Sequence, residues 1–190
     1  MLVFESVVGR HPDLSLHSAD ISRVVETLGV LNGTAAPAEV PRAAVEFRGW
    51  RRSGAWPERA AELAAWEERC SMAGRTLVHA DLRADNMILS GERVLVVDWA
   101  SAAAGASWVD PVFVCAQLIV AGHTPQAAEQ VVRMLPAWDS ADPADITAFV
   151  VGLCGIWEDT DGALPPELRV YRNRAAAAGR SWIRHRLGWA

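Results

Sequence analysis

A chain of 190 residues, 51% of them hydrophobic, is long enough for one domain with a substantial core and too apolar for wholesale disorder. A net charge of −5 without a clear Arg stripe argues against a general nucleic-acid binder. No signal peptide is visible and no apolar run reaches the ~18 residues of a membrane span, so a soluble cytoplasmic protein without membrane partners is expected.

In chain order, "MLVFESV" opens as an apolar β-type run. After the loop "GRHPDLSLHS", Asp20 is placed to cap a helix whose apolar face is Val24, Val25, Leu28 and Leu31, ended by Asn32 and Gly33. Residues 33–55 have no clear period and contain Pro37, Pro41 and Gly54, so they read as an irregular connection. Pro57 suits the first position of a helix running to about Met72, with Gly74 as its stop. Three short β runs follow, "TLVH", "NMIL" and "RVLVVDW", and Ser90-Gly91 is a hairpin signal between the last two. Beyond Val109 the pattern is helical: about 109–121, Thr124-Pro125 to about 137, Asp142-Pro143 to about 157, and a closing helix over about 166–187. The fold class is mainly α with a small β hairpin.

The β cluster carries the chemistry. His79 and Asp81 form a His-x-Asp, Asn86 follows Asp81 by five residues, and Asp98 closes the next apolar run. Phosphoryl transfer from a nucleotide needs an oriented hydroxyl and Mg²⁺ held against the phosphates. An Asp on a loop can accept the hydroxyl proton, while an Asn carbonyl and a second Asp supply hard oxygens that suit Mg²⁺.

"HADLRADN" followed by "VLVVDWA" resembles the aminoglycoside phosphotransferase-like branch of the protein-kinase-like fold, which reads H-G-D-x-x-x-x-N and then apolar-apolar-D-[FW]. The resemblance implies Asp81 as catalytic base, Asn86 and Asp98 as Mg²⁺ ligands, Arg83 as a charge partner of the transferred phosphoryl group, and His79 as a brace of the loop. Ala80 stands where the branch has Gly. "GASWVDPVFV" is similar to the segment after the metal loop and implies that Asp110 braces the catalytic loop. "LRVYRNRAAAAGRSWIRHRLGW" is similar to the closing helix of many members. "LVFESVVGR" is similar to the linker joining the two lobes, which implies adenine contacts at the Phe4 carbonyl and the Ser6 N–H, with Ile88 and Val97 under the ring.

The resemblance therefore implies a C-terminal lobe: residues 1–8 as interlobe linker and 9–190 as one helical lobe, with a catalytic loop at 79–86 and a metal-binding segment at 94–110. ATP or GTP with Mg²⁺, and a small-molecule hydroxyl, would be its ligands. The small-lobe parts are not found. No G-x-G-x-x-G occurs, and all 18 basic residues are Arg, so no Lys can reach the phosphates. The chain alone is expected to be a weak kinase at best, with residues 1–8 pairing with a second copy or a separate N-lobe.

Other readings are set beside these. His-x-Asp also begins the two-His-one-carboxylate iron site, but the distal candidates His123 and His185 fall in helical sequence. A non-catalytic small-molecule- or partner-binding remnant of the kinase-like fold is the alternative function. Cys70, Cys115 and Cys154 read as free thiols, and the tryptophans as packing residues. Glu158, Asp159 and Asp161 form an acidic run that could attract a cationic sugar or simply be a solvated loop.

Overall fold

In a computed structural model, which describes residues 6–45, 47–159 and 165–189, the chain is mainly α with two small antiparallel pairs of strands. Helix α1 (Asp20–Asn32) buries Val24, Val25 and Leu28 on one face. Asp20 is its first residue rather than its cap; its carboxylate instead accepts from Arg10 and from the Asp13 N–H. This tethers the segment before the helix to it.

Pro57 opens a 3-10 turn that leads into α2 (Ala60–Glu68), which ends four residues earlier than expected. Gly74 does not stop a helix. It lets the backbone cross so close to Gly105 that a Cβ would lie 2.1 Å from the Gly105 oxygen. That crossing starts β1 (Thr76–Val78), which pairs with β4 (Ala103–Gly105). Strands β2 (Met87–Ser90) and β3 (Arg93–Val96) form the expected hairpin, with Ser90 opposite Arg93 and Gly91 at φ 59° in the turn. The alternation places Met87, Leu89 and Val94 in the core and leaves Ile88 and Leu95, directly paired, on the half-exposed face.

The C-terminal half is a helical bundle. Helix α3 (Val109–Val120) and α6 (Pro143–Glu158) are buried along most of their length. Between them lie α4 (Pro125–Val132) and α5 (Pro136–Asp139), where one continuous helix was expected; Pro136 has no N–H to donate and restarts the chain. Thr124 caps α4 through the Ala127 N–H, and Asp142 caps α6 through the Ala144 N–H. Helix α7 (Pro166–Leu187) packs across α6 and α3. It is locked there by Glu129 of α4, a buried carboxylate that accepts from Trp182 Nε1 at 2.7 Å and Arg186 at 2.6 Å.

Candidate active site

The segment after β1 makes a tight loop. Ala80 takes φ 61°, in the left-handed region, which explains why glycine suits this place. Two N–H groups exposed by that turn, those of His79 and Ala80, donate to the Asp110 carboxylate at 2.8 and 3.0 Å. Asp110 sits in the first turn of α3 and is 1% exposed. Burial pushes its carboxyl above the ordinary range, and the two N–H donors oppose that shift.

His79 is fully buried, with Nε2 2.8 Å from the Val97 oxygen. A carbonyl only accepts, so Nε2 carries the proton; among the described residues Nδ1 has no partner. The Asn86 amide reaches back to Asp81, donating to its backbone oxygen at 2.8 Å and lying 3.3 Å from Oδ2. That contact fixes which end of the amide is nitrogen and turns Oδ1 away from the loop. The Val97 N–H donates to the Asn86 backbone carbonyl at 2.9 Å. The two bonds to Val97 thus bring the end of the hairpin, and Asp98 after it, against the 79–86 loop.

Asp81 is partly exposed. Arg83 Nε lies 3.4 Å from Asp81 Oδ1, and its Nη2 3.2 Å from Asp85. Among the described residues the buried Nε atom has no aligned acceptor, so its contact with Asp81 is one of charge rather than a hydrogen bond. Asp98 is exposed at φ 58°. Among the described residues its carboxylate makes no hydrogen bond or ion pair. Asn86 Oδ1 and the two carboxylate oxygens of Asp98 are therefore hard donors at this end of the hairpin, a set that fits a hard cation such as Mg²⁺.

On the hairpin's half-exposed face Ile88 and Leu95 pair, and Val97 follows two residues after Leu95 on the same side. Residues 9–11 lie along β2: Arg10 and Leu89 exchange backbone hydrogen bonds, and Gly9 is close enough that a Cβ would meet Ile88 Cγ2 at 2.6 Å. The chain before Gly9 therefore leaves from the edge of this face. Ser6 is exposed there; Phe4 lies outside the described residues.

Sequence reasoning missed the cavity on the other side of Asp81. It holds about 580 Å³ and is lined by Asp81, Arg83 and Arg42, and by apolar side chains from α3, α6 and α7. Tyr171, the single tyrosine, hydrogen-bonds Gln117 at its wall. Its parts come from helices distant in sequence, each of which reads locally as ordinary core. Leu95 was missed for the same reason, as one apolar residue within an apolar run.

The acidic run behaves as a set of ion pairs. Glu158 pairs with Arg180, and Asp159 with Arg52; Asp161 lies outside the described residues. His123 is buried against the Leu14 carbonyl and His185 lies 4.0 Å from Glu129, so neither stands near His79 as an iron ligand. Among the described residues no cluster of His, Cys, Asp or Glu suits a metal by itself, and no helix is long and apolar enough to cross a membrane.

The fold has a known likeness. A choline/ethanolamine kinase family protein from Mesorhizobium loti superposes with a TM-score of 0.56 at 14% identity, over 95% of this chain and 70% of that one. No curated protein matches in sequence. The family model APH, described as the phosphotransferase enzyme family, matches residues 1–144. By that match, which takes in the whole 79–110 loop and hairpin, the chain belongs to the phosphotransferase enzyme family.

Proposed function

We propose that this chain is the helical lobe of a kinase that moves the γ-phosphoryl group of ATP or GTP to a small-molecule hydroxyl. The observation that carries the reading is the set of hydrogen bonds joining Asp81, Asn86 and the Asp98 end of the hairpin at the mouth of a cavity. Asp81 accepts the proton of the attacking hydroxyl, oriented by the Asn86 amide on its Oδ2 side. Arg83 offsets negative charge on the transferred phosphoryl group. Asn86 Oδ1 and Asp98 would hold Mg²⁺, which when bound offsets charge on the phosphates. His79 and Asp110 keep the loop in shape without touching reactants. Ile88, Leu95 and Val97 offer an apolar bed for the base, and Phe4 and Ser6 its backbone partners.

In this reading residues 1–8 are the linker and 9–190 the lobe, with the loop at 79–86 and the metal segment at 94–110. Three free cysteines, two of them buried with thiols pushed well up by burial, agree with a cytoplasmic setting. Val7 and Val8 are exposed, Val8 at 86%. We expect self-association, or capture of a separate N-lobe, through this segment; sedimentation showing a monomer at all concentrations would remove the self-association. A chain without Lys cannot supply the phosphate Lys, which favours low activity alone and keeps a non-catalytic binding remnant as the second reading.

The test is Mg²⁺-dependent binding of a fluorescent ATP analogue. Asp98→Ala should abolish the Mg²⁺ dependence. Asp81→Asn should keep binding and, wherever transfer is measurable, lower it by about 10²–10⁴-fold. Equal Mg²⁺-dependent binding by wild type and Asp98→Ala would sink the kinase reading.

A further inference from the structure

The cavity beside Asp81 also bears on which hydroxyl compound it takes. Its floor and walls are aromatic and aliphatic: Phe113, Phe149, Leu153, Ile156 and Trp157 line it with Tyr171. Phe149 is packed edge-on against Phe113 at 5.4 Å, and also against Phe47 and Trp108. Phe47, Phe113 and Phe149 thus turn edges and faces to one another rather than forming a cage of open faces around a cation.

The charges point the same way. Among the described residues lining the cavity, Asp81 is the one carboxylate, against the guanidinium groups of Arg42 and Arg83. Among the described residues, the two carboxylates directly after Trp157 are committed elsewhere, Glu158 to Arg180 and Asp159 to Arg52. Arg83 is itself held by Asp81 and Asp85. With Asp85 counted, the described charges at this end of the cavity balance, so a cationic acceptor would have to compete with Arg83 for Asp81 while losing water against the apolar walls. An anionic one would have Arg42 alone, on an exposed rim. A volume of about 580 Å³ is in the range that encloses a ring-sized molecule with room to spare.

We infer that the acceptor is an uncharged alcohol with an apolar ring body, its hydroxyl at Asp81 and its ring against the α3–α6–α7 wall. The assignment of the hydroxyl end rests on the kinase reading above; the preference for an uncharged apolar body rests on the cavity alone.

The test uses one scaffold in three charge states: cyclohexylmethanol, 4-(aminomethyl)cyclohexylmethanol and 4-(hydroxymethyl)cyclohexanecarboxylic acid. Each is titrated into the full chain by ligand-observed NMR, without nucleotide. The neutral alcohol should bind about tenfold more tightly than either charged congener. Ile156, 40% exposed on the cavity rim, gives the locating variant. Ile156→Glu should weaken the neutral probe and strengthen the ammonium probe, while Ile156→Leu should leave the order unchanged. Tighter binding of either charged congener, no binding by any of the three, or an order that Ile156→Glu leaves unmoved would overturn the inference. Nucleotide binding is followed in parallel. Mg²⁺-dependent nucleotide binding with the wrong acceptor order fails this inference alone, whereas the expected order without nucleotide binding fails the kinase reading alone.

Discussion

Ala80 carries its Cβ in the left-handed region, where an L-residue is disfavoured by about 1–2 kcal/mol. The Asp110 carboxylate, accepting from both N–H groups of the turn, holds it there. Ala80→Gly should therefore stabilise the protein by about 0.5–1 kcal/mol in denaturant titration. Asp110→Ala leaves one buried and one part-buried donor unmet and should cost about 2–4 kcal/mol, measured in the same way. A loss of stability in Ala80→Gly would contradict the account of the loop. The residues of this loop were legible because their spacing is itself the chemistry. The sequence of "HAD" also shows an Ala where a related pattern has Gly, but not that the backbone conformation survives the exchange. That conformation depends on an aspartate 30 residues away and on its burial.

At the level of elements, the hairpin was readable from two apolar runs around Ser90-Gly91, and the starts of α4 and α6 from Thr-Pro and Asp-Pro. Strand β4 was not, because Ala103-Ala104-Gly105 has no β preference; it is a strand only because Gly74 and Gly105 let two backbones approach. Asp20 was readable as part of a helix start and misread as its cap, because capping residues and buried salt-bridge acceptors share one chemistry. The Arg10 guanidinium, then the Asp13 N–H, hold its carboxyl below the ordinary 3.8. A carboxyl whose folded value is lowered adds stability above the unfolded value and loses it as pH falls through the folded one. Wild-type stability should accordingly drop as pH falls below 3.8, and Asp20→Asn should be weaker at neutral pH with that part of the acid limb removed. Denaturant midpoints across that range decide it. Parallel pH curves for the two proteins would rule the tether out.

Across the whole molecule, α7 is secured by charge inside the core as well as by packing. Glu129 lies under Trp182 and Arg186, while Arg133 meets it from a side chain 55% exposed. Removing the buried partner leaves an uncompensated guanidinium, so Glu129→Ala should cost about 3–5 kcal/mol. Arg133→Ala should stay within about 1 kcal/mol. Equal losses in thermal unfolding would show that the network is not organised around Glu129. No local pattern marks this, since a Glu in a short amphipathic helix reads as surface.

Nine tryptophans make the protein rich in indole, and Trp99, 36% exposed, is among those that reach the surface. It follows Asp98 directly, donates to the Val96 oxygen, and meets the His79 ring at 5.0 Å edge-on. The molecule therefore has a built-in optical probe one residue from its candidate cation ligand. Comparison with Trp99→Phe isolates the Trp99 emission from that of the other partly exposed indoles. Spectral change at Trp99 on adding Mg²⁺–nucleotide, absent from Trp99→Phe, would report events at the hairpin end without any label.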